Sequence, residues 1–142
     1  MQTEINPKKR YARTFFFVVF GVSFLDQTIK FALANKILDY PVYRNHGALF
    51  GLPFDGSVAL IFLALAFFYA IYKKEALLAS CESGVAVYAG LIFGGIMGNA
   101  IDRITAGYVM DYITLAGYFS FNISDLAILI GSLLFFLKFI GK

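Results

Sequence analysis

The sequence predicts an all-α integral membrane protein with four transmembrane helices and a small extracytoplasmic β element, or cradle, over their outer ends. Hydrophobic residues make up 60% of the 142 residues, and the mean hydropathy is +0.75. The apolar residues fall into four runs, each close to the roughly 20 residues that a helix needs to cross a bilayer. These runs are apolar on every side, unlike the amphipathic helices of soluble domains. We therefore expect a single integral membrane domain over residues 1–142, with spans near 14–35, 57–72, 84–101 and 123–140.

The basic residues predict the orientation of these spans. Eight of the twelve lysines and arginines stand before the first run, between the second and the third, or at the C-terminus. Because cytoplasmic flanks are enriched in Lys and Arg, both termini should be cytoplasmic and residues 36–56 and 102–121 extracytoplasmic. The net charge of +3 comes mainly from these flanks, so it does not indicate a nucleic-acid partner.

The two outer segments predict the β element. Residues 40–50 place apolar residues before the turn sequence Asn45-His46-Gly47, which indicates a short strand followed by a turn. Tyr108–Leu115 is rich in β-branched and aromatic residues and predicts another strand, which would contain Asp111. A small sheet on the outer membrane surface follows from these two segments.

Asp111 and Asp125 are the candidate catalytic residues. Each lies where an apolar segment meets the predicted outer surface, and a carboxylate at the bilayer centre costs about 3 kcal/mol, so such residues are usually functional. If the two side chains converge, they can share one proton, as the pair of an aspartic peptidase does. Two simpler roles stay open: Asp125 could stabilise the start of the fourth helix, and Asp111 could be an ordinary residue of an exposed strand.

Further polar residues at the same surface are candidates for supporting this site. Asp26 and Lys30 are four residues apart on the first span, and their pair could neutralise two charges at membrane depth or shape the site. Gly94 and Gly98 form a GxxxG pattern, which allows helices to approach closely. The polar residues beyond this pattern and at the start of the fourth span are Asn99, Asp102, Arg103 and Asn122. Asn122 could also cap the fourth helix.

The sequence does not indicate a metal ion, a disulfide or another cofactor. Cys81 is the only cysteine and His46 the only histidine, so no CxxC site, histidine zinc site or convincing Ser–His–Asp triad is present. We expect Cys81 to be an incidental cytoplasmic residue and His46 to be a solvated loop residue.

Five short motifs follow one another along the chain. They are Asp26-Gln27-Thr28-Ile29-Lys30, Asn45-His46-Gly47-Ala48-Leu49-Phe50-Gly51, Gly98-Asn99-Ala100-Ile101-Asp102-Arg103, Val109-Met110-Asp111-Tyr112 and Phe121-Asn122-Ile123-Ser124-Asp125. Each motif alone is weakly specific. In this order and with four spans, the set resembles the D-Q-x-x-K, N-x-G-A-x-F, G-N-x-x-D-R, V-x-D-aromatic and F-N-x-A-D motifs of the lipoprotein signal peptidases (signal peptidase II).

The resemblance implies an aspartic endopeptidase that removes the signal peptide from lipid-modified prolipoproteins, cleaving before the diacylglyceryl-cysteine. It implies that Asp111 and Asp125 are the catalytic pair. The residues that would bind substrate or support the site are Asp26, Lys30, Asn45, Gly47, Asn99, Asp102, Arg103 and Asn122. We expect a monomer in the bacterial cytoplasmic (inner) membrane that needs no cofactor, whose partners are the bilayer and the prolipoprotein substrates.

The chain departs from the family pattern in two places. Ser124 stands where the family usually has Ala, and its hydroxyl could alter proton sharing in the pair or face away from it. Only thirteen residues separate Asp111 from Asp125, a shorter stretch than is usual, which predicts a more open site and bears on the substrate range more than on the chemistry.

Two other functions stay open at this point. A small proton-coupled membrane transporter could use the outer acidic cluster, although such a protein should also carry acids along a path across the bilayer. A non-catalytic assembly module would need only the GxxxG pattern and the ion pair.

Overall fold

The computed structural model describes residues 7–47 and 83–140, which form three helices and four short strands. The elements in chain order are helix α1 (Pro7–Ala34), strand β1 (Tyr43–Asn45), helix α2 (Ser83–Ala106), strands β2 (Val109–Asp111), β3 (Ile113–Leu115) and β4 (Phe119–Phe121), and helix α3 (Ile123–Ile140). The predicted span at 57–72 and Cys81 lie outside the described residues. Within them, Lys9–Ala34 and Gly84–Ala106 are long and apolar enough to cross a membrane.

The helix bounds differ from the sequence prediction in ways that local chemistry explains. α1 begins at Pro7, seven residues before the predicted span, because proline suits the first helical position and Lys and Arg are good helix formers. It ends in a Schellman motif: Lys36 has a left-handed φ of 53°, and the N–H groups of Lys36 and Ile37 donate to the carbonyls of Leu33 and Ala32. α2 continues to Ala106, past the predicted end at 101.

The three helices pack as a layer with α2 in the middle, and glycines of α2 set the spacing. Towards α1, a Cβ on Gly94 would lie 2.8 Å from the Cβ of Val22. The side chain of Ser23 on α1 donates to the backbone carbonyl of Gly94 at 2.9 Å. Towards α3, a Cβ on Gly95 would overlap the backbone carbonyl oxygen of Ser124. Gly94 of the GxxxG pattern therefore allows the predicted close approach to α1, and the neighbouring Gly95 allows a close approach to α3.

We expect Gly95→Ala to destabilise the protein by about 1–3 kcal/mol or more, because the methyl group would collide with backbone that cannot turn away. Gly21→Ala on α1 is the matched control, since a Cβ there would meet nothing within 4 Å. Thermal unfolding of the purified variants in detergent should show a lower midpoint for Gly95→Ala alone. Equal midpoints for the two variants would contradict the close contact between α2 and α3.

The glycine contacts also give the helix directions. Gly90 lies beside Val18, Gly94 beside Val22 and Gly98 beside Asp26, so α1 and α2 run parallel. Gly98 lies beside Ser124, whereas Gly131 lies beside Ile92 and the backbone of Tyr88, so α3 runs antiparallel to α2. The C-terminal ends of α1 and α2 and the N-terminal end of α3 therefore meet at one end of the layer.

The β element consists of two antiparallel pairs at that end. β1 pairs with β2, with Tyr43 opposite Asp111, and β3 pairs with β4 in a hairpin, with Ile113 opposite Phe121. The prediction of a single strand over Tyr108–Leu115 was wrong, because the chain changes partner at Tyr112, whose N–H donates to the carbonyl of Phe121. β1 is also shorter than the predicted strand and starts only at Tyr43. The hairpin turns through Ala116 and Gly117, which both have positive φ.

Candidate active site

Asn122 caps α3 and also connects the two predicted catalytic carboxylates. Its side-chain oxygen accepts the backbone N–H of Asp125 at 2.9 Å, and its backbone N–H donates to the Asp125 carboxylate at 3.3 Å. This reciprocal arrangement is a capping box. The Nδ2 of Asn122 donates to Oδ1 of Asp111 at 2.8 Å. Capping and site formation, which were alternatives at the level of sequence, are therefore performed by the same residue.

Asp111 lies at the end of β2 and is 1% exposed. Its second oxygen accepts a hydrogen bond of 3.0 Å from Nδ2 of Asn45 on β1. Burial, and next the neighbouring Asp125 carboxylate, raise the pKa of Asp111 from 3.8 to about 6, although the hydrogen bonds from Asn45 and Asn122 oppose the shift. Asp111 can therefore keep a proton close to neutral pH.

Asp125 lies in the first turn of α3, where the helix dipole and free N–H groups stabilise negative charge. Nδ2 of Asn99 on α2 donates to its Oδ1 at 2.7 Å. The carboxamide oxygen of Asn99 in turn accepts from Asn122 at 3.1 Å and from the Lys30 ammonium at 3.5 Å. Three asparagines thus supply side-chain donors to the two carboxylates, each from a different element or its edge.

A buried ionic cluster lies directly beside this pair. Lys30 contacts Asp26 at 2.6 Å and Asp102 at 2.7 Å, and all three side chains are less than 10% exposed. The predicted pairing of Asp26 with Lys30 is therefore present, and Asp102 joins it. Asp102 also accepts the backbone N–H of Met110 at 3.0 Å, which fixes β2 one residue before Asp111. The cluster thus connects two helices to the strand that carries a candidate catalytic residue.

Arg103 and Gly47 meet at the side of the site next to β1. The guanidinium of Arg103 donates to the carbonyl of Gly47 at 3.1 Å. The N–H of Gly47 donates to the side-chain oxygen of Asn45 at 3.0 Å, which leaves the amide of Asn45 directed at Asp111. Arg103 therefore acts on the segment that orients Asn45, rather than on a carboxylate that the structure describes.

The structure brings all ten predicted site residues to one end of the helix layer, and it adds three that the sequence analysis did not assign to the site. Gln27 donates to Asp102 at 2.8 Å, and Tyr112 and Ser124 each donate to Asp26 at 2.8 Å. The Ser124 hydroxyl binds Asp26 and so faces away from the predicted catalytic pair. All three lie within the five motifs of the sequence analysis, which could have drawn attention to them, but the motifs do not show that Tyr112 and Ser124 reach Asp26. His46 contacts the ring of Tyr108, outside these networks.

Among residues 7–47 and 83–140, no group of three or more His, Cys, Asp or Glu side chains is arranged to hold a metal ion. In the same part of the chain, every buried side-chain nitrogen or oxygen has a hydrogen-bond partner. The site therefore holds two carboxyl groups, Asp111 and Asp125, in different environments. Both accept hydrogen bonds from side-chain amides.

Comparison with known proteins identifies the family. A family model described as signal peptidase (SPase) II matches residues 17–141. The lipoprotein signal peptidase of Halothermothrix orenii is 31% identical over 139 residues, which cover 86% of this chain and 92% of that protein. That of Serratia marcescens is 37% identical over 97 residues, which cover 64% of this chain but only 57% of that protein. A solved bacterial membrane enzyme, 24% identical, superposes with a TM-score of 0.73 over 90% of this chain and 88% of its own, which supports the fold.

These matches identify the class of this protein as a membrane enzyme and, more specifically, as a peptidase. The chain belongs to the signal peptidase II family. The predicted family and enzyme class are thereby confirmed, and the transporter alternative is not favoured. Over residues 7–47 and 83–140, the fold is confirmed as mostly helical, with two candidate membrane helices and small antiparallel sheets.

Proposed function

We propose that this chain is an aspartic endopeptidase that removes the signal peptide of lipid-modified prolipoproteins, with Asp111 and Asp125 as its catalytic pair. The observation that carries the proposal is the hydrogen bonding of Asn122 to both carboxylates. The side chain of Asn122 donates to Asp111, and its backbone N–H donates to Asp125, so one residue at the start of α3 contacts both carboxylates. Family membership indicates the class of reaction, and the hydrogen bonds of Asn122 indicate which two acids take part in it.

The two carboxyl groups take different roles in this proposal. Asp125, beside the N-terminus of α3, is the ionised member and removes a proton from the attacking water. Asp111, with its raised pKa, keeps a proton and donates it to the carbonyl oxygen of the scissile peptide bond. The amides of Asn45, Asn99 and Asn122 hold the carboxylates in place while charge moves between them.

We further propose four spans, with both termini cytoplasmic and the site near the extracytoplasmic surface of the cytoplasmic membrane. α1 and α2 run parallel, so a chain that crosses a bilayer in both must return between them, and the apolar run at 57–72 fits that crossing. The phenylalanines of α1 are suited to lipid contact, since Phe17 is 80% and Phe24 is 75% exposed. We expect the enzyme to work as a monomer.

The proposal is tested by incubating the purified protein, in detergent or lipid, with a diacylglyceryl-modified precursor and following release of the signal peptide. Cleavage before the modified cysteine is expected. Transport and assembly functions both predict that no cleavage occurs. A precursor that lacks the lipid is the matched substrate control, and its equal cleavage would contradict specificity for lipid-modified substrates.

Cleavage should fall as the pH rises through about 6 when kcat/KM is measured. The raised pKa means that the free enzyme loses the Asp111 proton in this range, and an ionised Asp111 cannot donate to the carbonyl. The measurement is a profile of kcat/KM from about pH 4 to 9 with one precursor. The exposed-acid variant Asp39→Asn should show the same profile. A kcat/KM that rises steadily from pH 6 to 8 would contradict the role given to Asp111.

A further inference from the structure

The carboxylate of Asp26 lies fully buried on α1 and binds three donors, one on α1 itself, one between β2 and β3, and one on α3. They are the Lys30 ammonium at 2.6 Å, the Tyr112 hydroxyl at 2.8 Å and the Ser124 hydroxyl at 2.8 Å. Tyr112 directly follows Asp111, and Ser124 directly precedes Asp125. One carboxylate therefore holds the immediate neighbour of each catalytic residue.

Tyr112 contributes a second connection to this arrangement. Its hydroxyl accepts the backbone N–H of Ile123, the first residue of α3, at 3.2 Å. Its side chain is 6% exposed, and burial, followed by the charge of Asp26, raises the pKa of the phenol. The hydroxyl therefore stays protonated and donates to Asp26 over the whole working range of pH. The residue next to Asp111 is thereby tied both to α1 and to the helix that carries Asp125.

Ser124 completes the arrangement from the other side. Its side chain is fully buried, and its hydroxyl lies in the space that Gly98 leaves free, because a Cβ there would overlap it. The hydroxyl is directed to Oδ2 of Asp26, while Tyr112 binds Oδ1. An alanine, the residue of the resembling motif, would leave this half of the contact unmade. In this chain, each oxygen of the Asp26 carboxylate therefore binds one hydroxyl, and the contact to Oδ2 depends on serine at position 124.

We propose that Tyr112 and Ser124 are positioning residues, through which Asp26 fixes the separation of Asp111 and Asp125. The proposal rests on the function proposed above for the pair. If either hydroxyl is removed, the backbone next to one carboxylate gains freedom, and the pair spends less time in the geometry that shares a proton. Asp26 keeps Lys30 and the other hydroxyl as partners, so the fold should survive.

The test compares Tyr112→Phe, Ser124→Ala and the double variant with the wild type. We expect kcat to fall about 10–100-fold for Tyr112→Phe, whose hydrogen bond is to a charged group, and about 3–10-fold for Ser124→Ala, with KM unchanged. The double variant should fall by less than the product of the two, because both hydroxyls act through Asp26. Tyr118→Phe and Ser120→Ala remove hydroxyls at less buried positions of the hairpin that lies between Tyr112 and Ser124, and they should leave kcat and KM unchanged. The Ser120 hydroxyl contacts that of Thr114 across the hairpin, at an exposed position away from Asp26.

A second measurement does not depend on cleavage. Infrared difference spectra against pH follow the protonated carboxyl of Asp111, which the Asp111→Asn variant identifies by its loss. Because burial, and next the Asp125 charge, raise the pKa of Asp111, a wider separation of the two carboxyl groups should lower the titration midpoint in both positioning variants. The other charged groups of the cluster, Asp26, Lys30, Asp102 and Arg103, are unchanged in these variants.

The outcomes separate this proposal from the proposed function. An unchanged midpoint, or a loss of activity equal to the loss of folded protein, would overturn the positioning roles. A lowered midpoint in a protein whose wild type cleaves no lipidated precursor would support the positioning roles and overturn the proposed function. A lowered midpoint together with reduced kcat and constant KM would support both.

Discussion

Asp111→Asn and Asp125→Asn should each reduce cleavage by roughly 10³-fold or more, while the protein remains folded. Asparagine has nearly the size of aspartate but neither takes nor gives a proton in this reaction. At position 111 it offers one acceptor oxygen in place of two, so one of the hydrogen bonds from Asn45 and Asn122 is lost. That loss should cost about 1 kcal/mol, which a folded membrane helix layer can tolerate.

Signal-peptide release from a lipidated precursor measures this effect, and thermal unfolding in detergent checks the fold. Asp39→Asn is the control, because Asp39 is an exposed acid in the other predicted outer segment, residues 36–56. It should cleave at the wild-type rate. Turnover within about tenfold of wild type by either catalytic variant would contradict the assignment of that residue, since loss of a positioned general acid or base costs about 10²-fold or more.

Lys30→Met should have the largest effect on stability. Lys30 is the cation between Asp26 and Asp102, and its removal leaves two buried carboxylates without a counter-ion. Breaking a buried ion pair by removing one partner costs about 3–5 kcal/mol, and solvent hardly screens these groups because each is less than 10% exposed. Activity should fall as well, since Asp102 also holds the backbone beside Asp111.

Thermal unfolding midpoints in one detergent, with the yield of folded protein, measure this effect. Lys9→Met removes an exposed lysine from the same helix and serves as the control. We expect its midpoint to stay within a degree or two of wild type, since exposed charges contribute little. A Lys30→Met protein as stable as Lys9→Met would show that Asp26 and Asp102 do not depend on this cation.

For residues 7–47 and 83–140, the sequence predicted three helices and the proximity of the candidate site residues, because both follow from the cost of polar groups in hydrocarbon. α3 has the predicted bounds, Ile123–Ile140. Charged residues in or beside apolar runs need partners there, so Asp26, Lys30 and Asp102 could be expected to meet. Five motifs in a fixed order then assigned the residues around them.

Contacts between remote residues were beyond the reach of the sequence. Asn122 is marked as a helix cap by its position, but its amide reaches Asp111 only because β2 and the start of α3 lie at the same end of the helix layer. The second strand ends before Tyr112, whose hydroxyl binds Asp26, 86 residues earlier in the chain. Ser124 likewise reaches Asp26 across 98 residues. Such pairings depend on tertiary packing, which residue spacing does not encode.

The β3–β4 hairpin is anchored at its base, by Tyr112 on one side and by Asn122 and Ser124 on the other, while its tip at Ala116 and Gly117 is free of these anchors. Extra residues inserted at the tip would lengthen the ribbon without displacing the carboxylates. Natural variation in the length of this loop, and a fluorophore or affinity tag placed there by design, are therefore compatible with an intact reaction centre.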